Sequence, residues 1–434
     1  MRKTIAPYHK IQQMKRLFTQ LLIALFVLAG CSTSDKFTGF SYDPEGVTET
    51  SDKEINQQYK KVIGVDGRSV WISNEFSGAR VNDFYQVNDT LYRAVIEPEN
   101  EDINNSPWYA FKIWSSAPQT IDLQLSYKHG THRYIPKLSN SGQDWQRIDS
   151  TAYQADTLDG TATLTLALEP QPTWVSSQEL LTQSDYTTWM KLLNQRSWVS
   201  LDTVGYSHDQ RPITKMTINQ TNADEKRGVV IITGRQHPPE VTGAIASRIF
   251  INEMMSNSDI AQAFRQEFEV WTYPLVNPDG VQRGHWRHNA AGVDLNRDWQ
   301  NFNQPETQAV RDDLLPIKED SLRRVYYGID FHSTNENLFY PINRDISTFP
   351  EDFTYEWIEE MKAQFPDYPV SVEPFDTSSP ITKNWIYRTF GADAVTYELN
   401  DRANRDRLRT ITRANARIIM EKLLEAKKQS QLSR

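Results

Sequence analysis

The sequence lacks several features that would set its class at once. It has a single cysteine, Cys31, in 434 residues, so no intrachain disulfide can form. It has no internal repeat and no low-complexity tract, and its composition is that of an ordinary globular protein. Its N-terminal apolar run, Leu21 to Ala29, has nine residues and is too short to span a bilayer. What remains is a chain long enough for two or three domains with an ample core.

The N-terminus has the pattern of a secretory signal. A positive start at Met14-Lys15-Arg16 is followed by the apolar run and then by Leu28-Ala29-Gly30-Cys31. This resembles a bacterial lipoprotein signal, and translation from Met14 would be sufficient for it. The resemblance implies that residues 1–30 are removed, that Cys31 carries the lipid, and that the lipid anchors the protein in the cell envelope. Ser32, the residue after the lipidated cysteine, favours sorting of the lipoprotein to the periplasmic face of the outer membrane in a Gram-negative cell.

The charge of the chain is acidic. The net charge is −9, and residues 1–30 hold five basic residues and no acidic ones, so their removal leaves −14. An acidic protein is a poor partner for nucleic acid. The net negative charge also favours attachment to the membrane through a lipid anchor rather than through a basic surface patch. Residues 31–55 are polar and are predicted to form a tether.

Residues 56–185 show strand patterns separated by turn-rich polar segments. Residues 121–127 alternate strictly, and residues 162–168 alternate again after an Asp159-Gly160 turn. Several short strands at this spacing predict an antiparallel β-sandwich domain. His129 and His132 lie there at metal-compatible spacing, but no third ligand is near them in the sequence. They are therefore interpreted as surface residues.

Residues 186–430 change to an alternation of strands and helices. Strands are predicted at 229–233, 269–275, 324–331 and 394–399, with helices near 186–195, 241–255, 305–320, 352–364 and 402–427. This pattern predicts an α/β domain whose mixed, largely parallel sheet is flanked by helices. In such sheets, sites form at the carboxyl ends of the strands.

Polar residues follow two of these strands. His237-Pro238-Pro239-Glu240 lies between the first strand and the following helix, and imidazole plus carboxylate is a zinc-type ligand pair. His332, at the end of the third strand, is the natural third ligand. Three protein ligands leave a position open for water, which is typical of a catalytic rather than a structural zinc site.

Five short motifs occur in order along the α/β region: His237-x-x-Glu240, Asn277-Pro278-Asp279-Gly280, Gly292-Val293-Asp294-Leu295-Asn296-Arg297, Phe331-His332-Ser333 and Thr396-Tyr397-Glu398-Leu399. Their combination, over about residues 200–425, resembles the zinc carboxypeptidases of the carboxypeptidase A family. The preceding β-rich region and the His-Pro-Pro-Glu sequence are more similar to the cytosolic-carboxypeptidase branch of this family than to the pancreatic-type enzymes. That resemblance implies a β-sandwich followed by an α/β catalytic domain.

The resemblance implies one Zn²⁺ per chain, bound by His237, Glu240 and His332. It implies that Glu398 is the general base and that Arg287 stabilises the oxyanion of the reaction. These roles need a carboxylate near the metal but not bound to it, and a cation aimed at the developing charge.

The resemblance also implies substrate-binding residues. Asn296 and Arg297 would hold the terminal carboxylate of the substrate, a bidentate task that suits a guanidinium group. Lys383 falls where the family has its specificity residue, so a terminal acidic side chain would be favoured. The alternative interpretation is that Lys383 points to solvent. Asp294 and Asp298 are interpreted as turn or helix-cap residues.

The sequence departs from the pancreatic-type enzymes at three places. The substrate-clamping Tyr of those enzymes would fall near Phe375 or Asp376, so it is missing. The Arg between the first two ligands is replaced by Pro239. His285 and His288 flank Arg287 and are interpreted as substrate-edge or surface residues rather than metal ligands.

These observations predict a lipid-anchored zinc carboxypeptidase of the cell envelope. Its substrates would be peptides or the stem peptides of peptidoglycan. The alternative is a non-catalytic protein that binds peptide or peptidoglycan ends in the same cleft. The complete set of ligands, base and carboxylate-binding residues favours the enzyme. Oligomeric state and the role of the β-sandwich have no signal in the sequence.

Overall fold

The structure is a computed structural model that describes residues 48–65, 69–220, 226–374 and 377–432. Cys31, the predicted signal peptide and most of the predicted tether lie outside these residues. The described end of the tether is packed: Gln304 Nε2 donates to the Thr50 carbonyl at 2.9 Å, and the Lys53 amide donates to the Ala291 carbonyl at 2.8 Å. The tethering role predicted for residues 31–55 therefore does not extend to these positions. No helix in the described ranges is both long and apolar enough to cross a membrane.

The β-rich region forms two sheets, as the alternating patterns predict. Its strands are β1 (Val62–Gly64), β2 (Val70–Ser73), β3 (Asp83–Gln86), β4 (Leu91–Ile96), β5 (Ala110–Ser115), β6 (Gln119–Tyr127), β7 (Lys137–Ser139), β8 (Gln146–Arg147), β9 (Tyr153–Asp156), β10 (Thr161–Leu168) and β11 (Thr173–Ser176). One sheet has the order β1-β2-β5-β11-β7-β8 and the other β3-β4-β6-β10-β9. The pairs are antiparallel except β4 and β6, which are parallel.

The two sheets share one hydrophobic core, and we call residues 62–176 the sandwich. Leu123 and Leu164 point inward from one sheet, and Ile72 and Ile113 point inward from the other. Burying each such side chain contributes about 1.5–3 kcal/mol. The predicted turn before β10 is present, and Gly160 adopts the left-handed conformation (φ +64°) that a glycine accepts without strain.

Residues 183–432 form a mixed sheet flanked by helices, and we call them the α/β unit. Its strands are β12 (Val199–Tyr206), β13 (Pro212–Ile218), β14 (Arg227–Gly234), β15 (Phe268–Tyr273), β16 (Arg323–Thr334), β17 (Leu338–Pro341), β18 (Ser371–Val372) and β19 (Asp393–Asn400). Their order is β12-β13-β15-β14-β16-β19-β17-β18. The centre, β15-β14-β16-β19, is parallel, while β13 and β17 join it antiparallel. Every residue of β14 is buried, as expected of a central parallel strand.

The helices of the α/β unit are α1 (Gln183–Leu193), α2 (Val241–Met254), α3 (Asp259–Glu267), α4 (Pro278–Arg283), α5 (Pro305–Leu314), α6 (Phe353–Gln364), α7 (Thr382–Phe390) and α8 (Arg405–Leu432). The sequence predicts five of these positions but not α3, α4 or α7, which are short. It also does not predict the hairpin of β12 and β13 at the sheet edge. The predicted boundary between residues 185 and 186 falls in the first turn of α1.

A buried ion pair joins the sandwich to the α/β unit. Arg133, which follows β6, donates from Nε and Nη2 to Asp401 Oδ2 at 3.1 and 2.6 Å. The Asp401 carbonyl accepts from Gln178 Nε2 at 3.2 Å. Asp401 is the residue after β19, so these contacts fix the turn that follows the strand of the predicted general base Glu398.

We expect Arg133→Met to lower the free energy of unfolding by about 3–5 kcal/mol, because it leaves the Asp401 carboxylate buried without its cation. Urea denaturation measures this change. Lys128→Met removes an exposed partner of Glu97 in the same sheet and serves as the control, with a solvent-screened loss below about 1 kcal/mol. Equal losses in the two variants would contradict a structural role of the Arg133 pair.

Candidate metal centre and substrate site

The candidate ligands lie at the carboxyl edge of the parallel strands. β14 ends at Gly234, and the loop to α2 contains His237 and ends at Glu240, the N-cap residue of that helix. β16 runs parallel to β14 and pairs Phe331 with Gly234, which brings His332 to the same edge. Residues from two distant parts of the sequence therefore meet where neighbouring parallel strands end.

The three side chains form one compact buried cluster. The ligand atoms that His237, Glu240 and His332 offer lie within 4.8 Å of one another. Glu240 lies between the imidazoles, with Oε1 2.8 Å from His237 Nδ1 and Oε2 2.7 Å from His332 Nδ1. Two nitrogens and a carboxylate are ligands that zinc prefers, so the set can bind one metal ion.

Each of the two histidines also contacts an aspartate through the ring nitrogen that faces away from Glu240. His237 Nε2 lies 2.8 Å from Asp294 Oδ1, and His332 Nε2 lies 2.7 Å from Asp330 Oδ2. A carboxylate on the outer nitrogen fixes the imidazole tautomer and leaves the inner nitrogen as a metal ligand. The interpretation of Asp294 as a turn residue is therefore incomplete: it caps the turn through the Asn296 amide and also orients a ligand.

The sequence analysis did not identify Asp330. This carboxylate is itself fixed, because Thr233 Oγ1 donates to it at 2.8 Å and Gln236 Nε2 at 2.7 Å. A signal for it was present in the sequence. Residues two apart in a strand lie on the same face, so Asp330 had to share a face with His332.

The charges of the cluster suit a cation. Burial alone raises the pKa of Glu240, but the charges of His237 and His332 outweigh burial and hold it below its usual value. Burial likewise raises the pKa of Asp294, and Arg287 and His237 hold it well below its ordinary range. Both groups are therefore anionic, as a divalent metal site requires.

Glu398 lies beside the cluster without joining it. β19 pairs Glu398 with His332 on the neighbouring parallel strand, so both side chains lie on one face. Glu398 Oε2 is buried and has no hydrogen-bond partner among the described residues. Burial, and then the charge of Glu240, raise the pKa of Glu398 to about 8. A carboxyl group in this position can exchange a proton near the metal.

A glycine permits α2 to approach the metal cluster. A Cβ atom at Gly243 would lie 2.3 Å from the carbonyl oxygen of His332. Real Cβ atoms do not approach a backbone oxygen so closely. Any larger residue there would push the helix away from β16 and with it Glu240 away from His332.

Arg287, predicted to stabilise the oxyanion, lies close to Asn296 and Arg297, which are predicted to bind the substrate carboxylate. Arg287 Nε donates to Asp294 Oδ2 at 2.7 Å, and Arg297 Nη1 lies 3.9 Å from the same oxygen. Asn296 Nδ2 lies 3.4 Å from His332 Nε2. The structure thus brings two guanidinium groups and an amide together beside the metal ligands.

Lys383 is buried and does not point to solvent, so the interpretation as a surface residue is wrong. Its side chain is 1% exposed, and Nζ donates to the Pro341 carbonyl at 3.2 Å. It follows Thr382, whose amide donates to Asn296 Oδ1 at 3.1 Å. The positions where the pancreatic-type Tyr would fall lie outside the described residues.

His285 and His288 are fully buried, so their interpretation as substrate-edge or surface residues is wrong. His285 Nδ1 lies 3.0 Å from the His288 carbonyl, and His288 Nδ1 lies 2.7 Å from Asn100 Oδ1 in the sandwich. Burial lowers the pKa of each to about 4, which keeps both imidazoles neutral. They form no part of the metal cluster.

The two histidines of the sandwich have different environments. His129 is exposed, as predicted. His132 is partly buried between two hydroxyl groups, with Nδ1 2.8 Å from Tyr127 Oη and Nε2 2.8 Å from Tyr153 Oη. It is a packing residue, so the interpretation as a surface residue is wrong for His132.

Comparisons with known proteins agree with this geometry. The chain matches the family model of the zinc carboxypeptidases over residues 186–408, just over half of its length. Cytosolic carboxypeptidase 6 of Caenorhabditis elegans is 25% identical over 348 residues, which cover 74% of this chain and 76% of that protein. An uncharacterized protein of Zymomonas mobilis is 24% identical over 235 residues, which cover 52% of this chain and 59% of that protein. This chain therefore spans less than two thirds of the Zymomonas relative.

A solved structure has the same fold. The metallo-carboxypeptidase from Burkholderia cenocepacia superimposes with a TM-score of 0.68 at 19% identity, over 81% of this chain and 98% of that chain. This match covers a larger share of the chain than the family model does. At this identity the similarity establishes the fold alone.

We expect Asp294→Asn to weaken zinc binding by about 10–100-fold, because the neutral amide no longer orients and polarises His237. Competition with a chelator of known affinity measures the change. Asp298→Asn is the matched control: Asp298 caps the next turn through the amides of Asn303 and Gln304 and contacts no ligand. Equal zinc affinity in the two variants would contradict the role given to Asp294.

Proposed function

The chain belongs to the zinc carboxypeptidase family, and from that premise we propose that it is a zinc-dependent exopeptidase. It hydrolyses the amide bond next to a free C-terminal carboxylate. The observation that carries the proposal is the position of Glu398, whose buried Oε2 has no partner among the described residues and lies beside the His237–Glu240–His332 cluster.

His237, Glu240 and His332 hold the zinc ion in this proposal. When bound, zinc supplies Lewis acidity and lowers the pKa of a coordinated water to roughly 7. Glu398 is the general base that takes the proton of the attacking water and passes it to the leaving amine. A carboxylate can accept a proton from water and then donate it, so one side chain serves both halves of that transfer.

Arg287 and Arg297 have separate roles in this mechanism. The guanidinium of Arg287, held by Asp294, faces the negative charge that develops on the scissile carbonyl oxygen. Arg297 and Asn296 bind the terminal carboxylate of the substrate, and this contact restricts cleavage to the last residue. Asn296 is oriented for that purpose by Thr382, which donates to its Oδ1 from the amide and the hydroxyl, both at 3.1 Å.

Lys383 gives the site a preference for an acidic terminal residue. The side chain is buried, so its charge acts in a medium of low dielectric, where it attracts a carboxylate more strongly than a surface lysine does. It lies next to Thr382 and therefore one residue from the group that orients Asn296. An acidic terminal side chain brings a second carboxylate into this neighbourhood.

The site of action is the cell envelope. This part of the proposal rests on the sequence of the first 31 residues, whose pattern resembles a lipoprotein signal ending in Cys31. A lipid anchor there places the exopeptidase among exported proteins, scavenged peptides and peptidoglycan stem peptides. The partner of the enzyme is then a peptide chain end, and nucleic acid is disfavoured by the acidic charge.

We expect the purified protein to bind one zinc ion per chain and to release single C-terminal residues from a peptide panel. Glu398→Gln should retain zinc and lose at least about 10²-fold in kcat, because it removes the base and leaves the ligands in place. Metal analysis and mass spectrometry of the digested peptides measure both properties. Glu336→Gln makes the same chemical change at an exposed loop residue and should retain the activity.

The outcome of this experiment also separates the enzyme from the alternative. Peptide binding without zinc and without hydrolysis would favour a non-catalytic binding protein. Zinc uptake with no cleavage of any α-linked peptide would direct the search to γ-linked bonds in peptidoglycan fragments.

We expect Lys383→Met to lower kcat/KM for peptides that end in Glu by about 10-fold or more relative to peptides that end in Leu, because one charge interaction in a buried site is lost. Met retains most of the length of the side chain. Lys215→Met removes another buried lysine, paired with Asp313 away from the metal cluster, and should leave the ratio unchanged. An unchanged ratio in Lys383→Met would contradict the acidic preference.

A further inference from the structure

The segment that carries Arg287 lies outside the regular secondary structure. It runs from Gly284, after α4, to Gly292, before the 3-10 turn at Leu295–Arg297. Trp286, Arg287 and His288 belong to no helix or strand. The direction of the Arg287 side chain therefore depends on whatever fixes these three consecutive peptide groups.

A carboxylate from the sandwich fixes them. Glu99 follows β4 and is fully buried. Its Oε2 accepts from the amide of Trp286 at 2.7 Å, and its Oε1 accepts from the amides of Arg287 at 2.9 Å and His288 at 2.7 Å. One side chain thus satisfies three successive backbone donors that are 187–189 residues away in the sequence.

Glu99 is anionic in this environment. Burial alone raises its pKa, but the imidazolium charges that His285 and His288 carry at low pH, the Arg80 guanidinium and the His288 amide outweigh burial and hold the pKa at about 2. Near neutral pH, where both imidazoles are neutral, Arg80 and the backbone amides stabilise the carboxylate. Burying an ionised carboxylate is costly unless hydrogen bonds replace its hydration. Hydrogen bonds to an ionised acceptor are roughly twice as strong as neutral ones, so the three bonds to Glu99 hold residues 286–288 firmly against the sandwich.

Other residues of the sandwich hold the same segment from both sides. Arg80 Nε donates to the Gly284 carbonyl at one end. Asn100 Nδ2 donates to the Gly292 carbonyl at 3.1 Å at the other end, and Asn100 Oδ1 lies 2.7 Å from His288 Nδ1. The middle is held as well, because Trp286 Nε1 donates to the Trp108 carbonyl at 3.1 Å.

We propose that Glu99 is a positioning residue for Arg287, through which the sandwich sets the geometry of the oxyanion-stabilising group. The inference rests on the role proposed for Arg287 above. A continuous line of contacts leads from the sandwich to the metal cluster: Glu99 to the Arg287 amide, Arg287 Nε to Asp294 at 2.7 Å, and Asp294 to His237 at 2.8 Å. A small displacement of a catalytic group can lower a rate by about 10²-fold.

The first test is Glu99→Gln. The glutamine side chain has one NH₂ group in place of a carboxylate oxygen. That group cannot accept a hydrogen bond from a backbone amide, so the segment is expected to shift. We expect kcat to fall by about 10–100-fold, with KM within about threefold of wild type and full zinc content. Glu97→Gln is the matched control, since Glu97 lies two residues away and pairs with the exposed Lys128 instead. Equal kcat in the Glu99 and Glu97 variants would overturn the proposal.

A double-mutant cycle separates positioning from a general loss of stability. If Glu99 acts through Arg287, then Glu99→Gln should change kcat by less than about twofold when Arg287→Ala is already present. A role in folding alone would lower kcat by the same factor in both backgrounds, and that result would overturn the proposal.

Hydrogen exchange gives a readout that does not depend on activity. In the full-length protein, Glu99→Gln should accelerate amide exchange in the peptide that spans residues 284–290 and leave β14 protected. Asn100→Ala, which removes a neutral contact to the same segment, should do so to a smaller extent and covers the case that Glu99→Gln does not fold. Unchanged exchange in that peptide in the folded variant would overturn the positioning role. Absence of peptidase activity in the wild-type protein would instead refute the proposed function, and the exchange result would still decide whether Glu99 holds the segment.

Discussion

The candidate site depends on the compensation of negative charge at one edge of the α/β sheet, where four acidic side chains lie close together. Glu240, Asp294 and Asp330 are buried there, and Glu398 lies beside them. Anions in a low-dielectric environment repel one another strongly, so the fold must supply compensating positive charge. Two imidazoles and the guanidinium of Arg287 supply it, and a divalent metal bound at the cluster would add to it. Each carboxylate except Glu398 has such a partner, which explains why its pKa alone among the four is raised to about 8.

The sandwich contributes to this arrangement through two charged contacts. Glu99 fixes the segment of Arg287, and Arg133 fixes Asp401 at the end of the strand that carries Glu398. In both contacts a charged side chain from one region is buried against the other region. The sandwich is therefore part of the framework of the site, and these two contacts hold the segments next to Arg287 and Glu398.

The sequence predicts the parts of the site that depend on local pattern. His237, Glu240 and His332 follow apolar runs that read as strands, and parallel strands bring their carboxyl ends to one edge. The sequence does not predict contacts between regions: the burial of His285 and His288 depends on Glu99 and Asn100, nearly 190 residues away. For the same reason a lysine as polar as Lys383 reads as exposed, although the carbonyl of Pro341 and the packing of α7 enclose it. Short helices such as α4 are also missed, because six residues span fewer than two helical turns, which is too short for the periodicity to be recognised.

Asp294 makes the candidate metal ligands and the residues proposed to bind substrate interdependent. Its Oδ1 accepts from His237 and from the amide of Asn296, while its Oδ2 accepts from Arg287. A carboxylate is planar and rigid, so the imidazole, the amide and the guanidinium keep fixed positions relative to one another. Displacement of Arg287 is then transmitted to the side chain that orients His237. The relative position of His237 and Arg287 is thus set by one residue, Asp294, and Arg287 itself lies in the segment that Glu99 anchors.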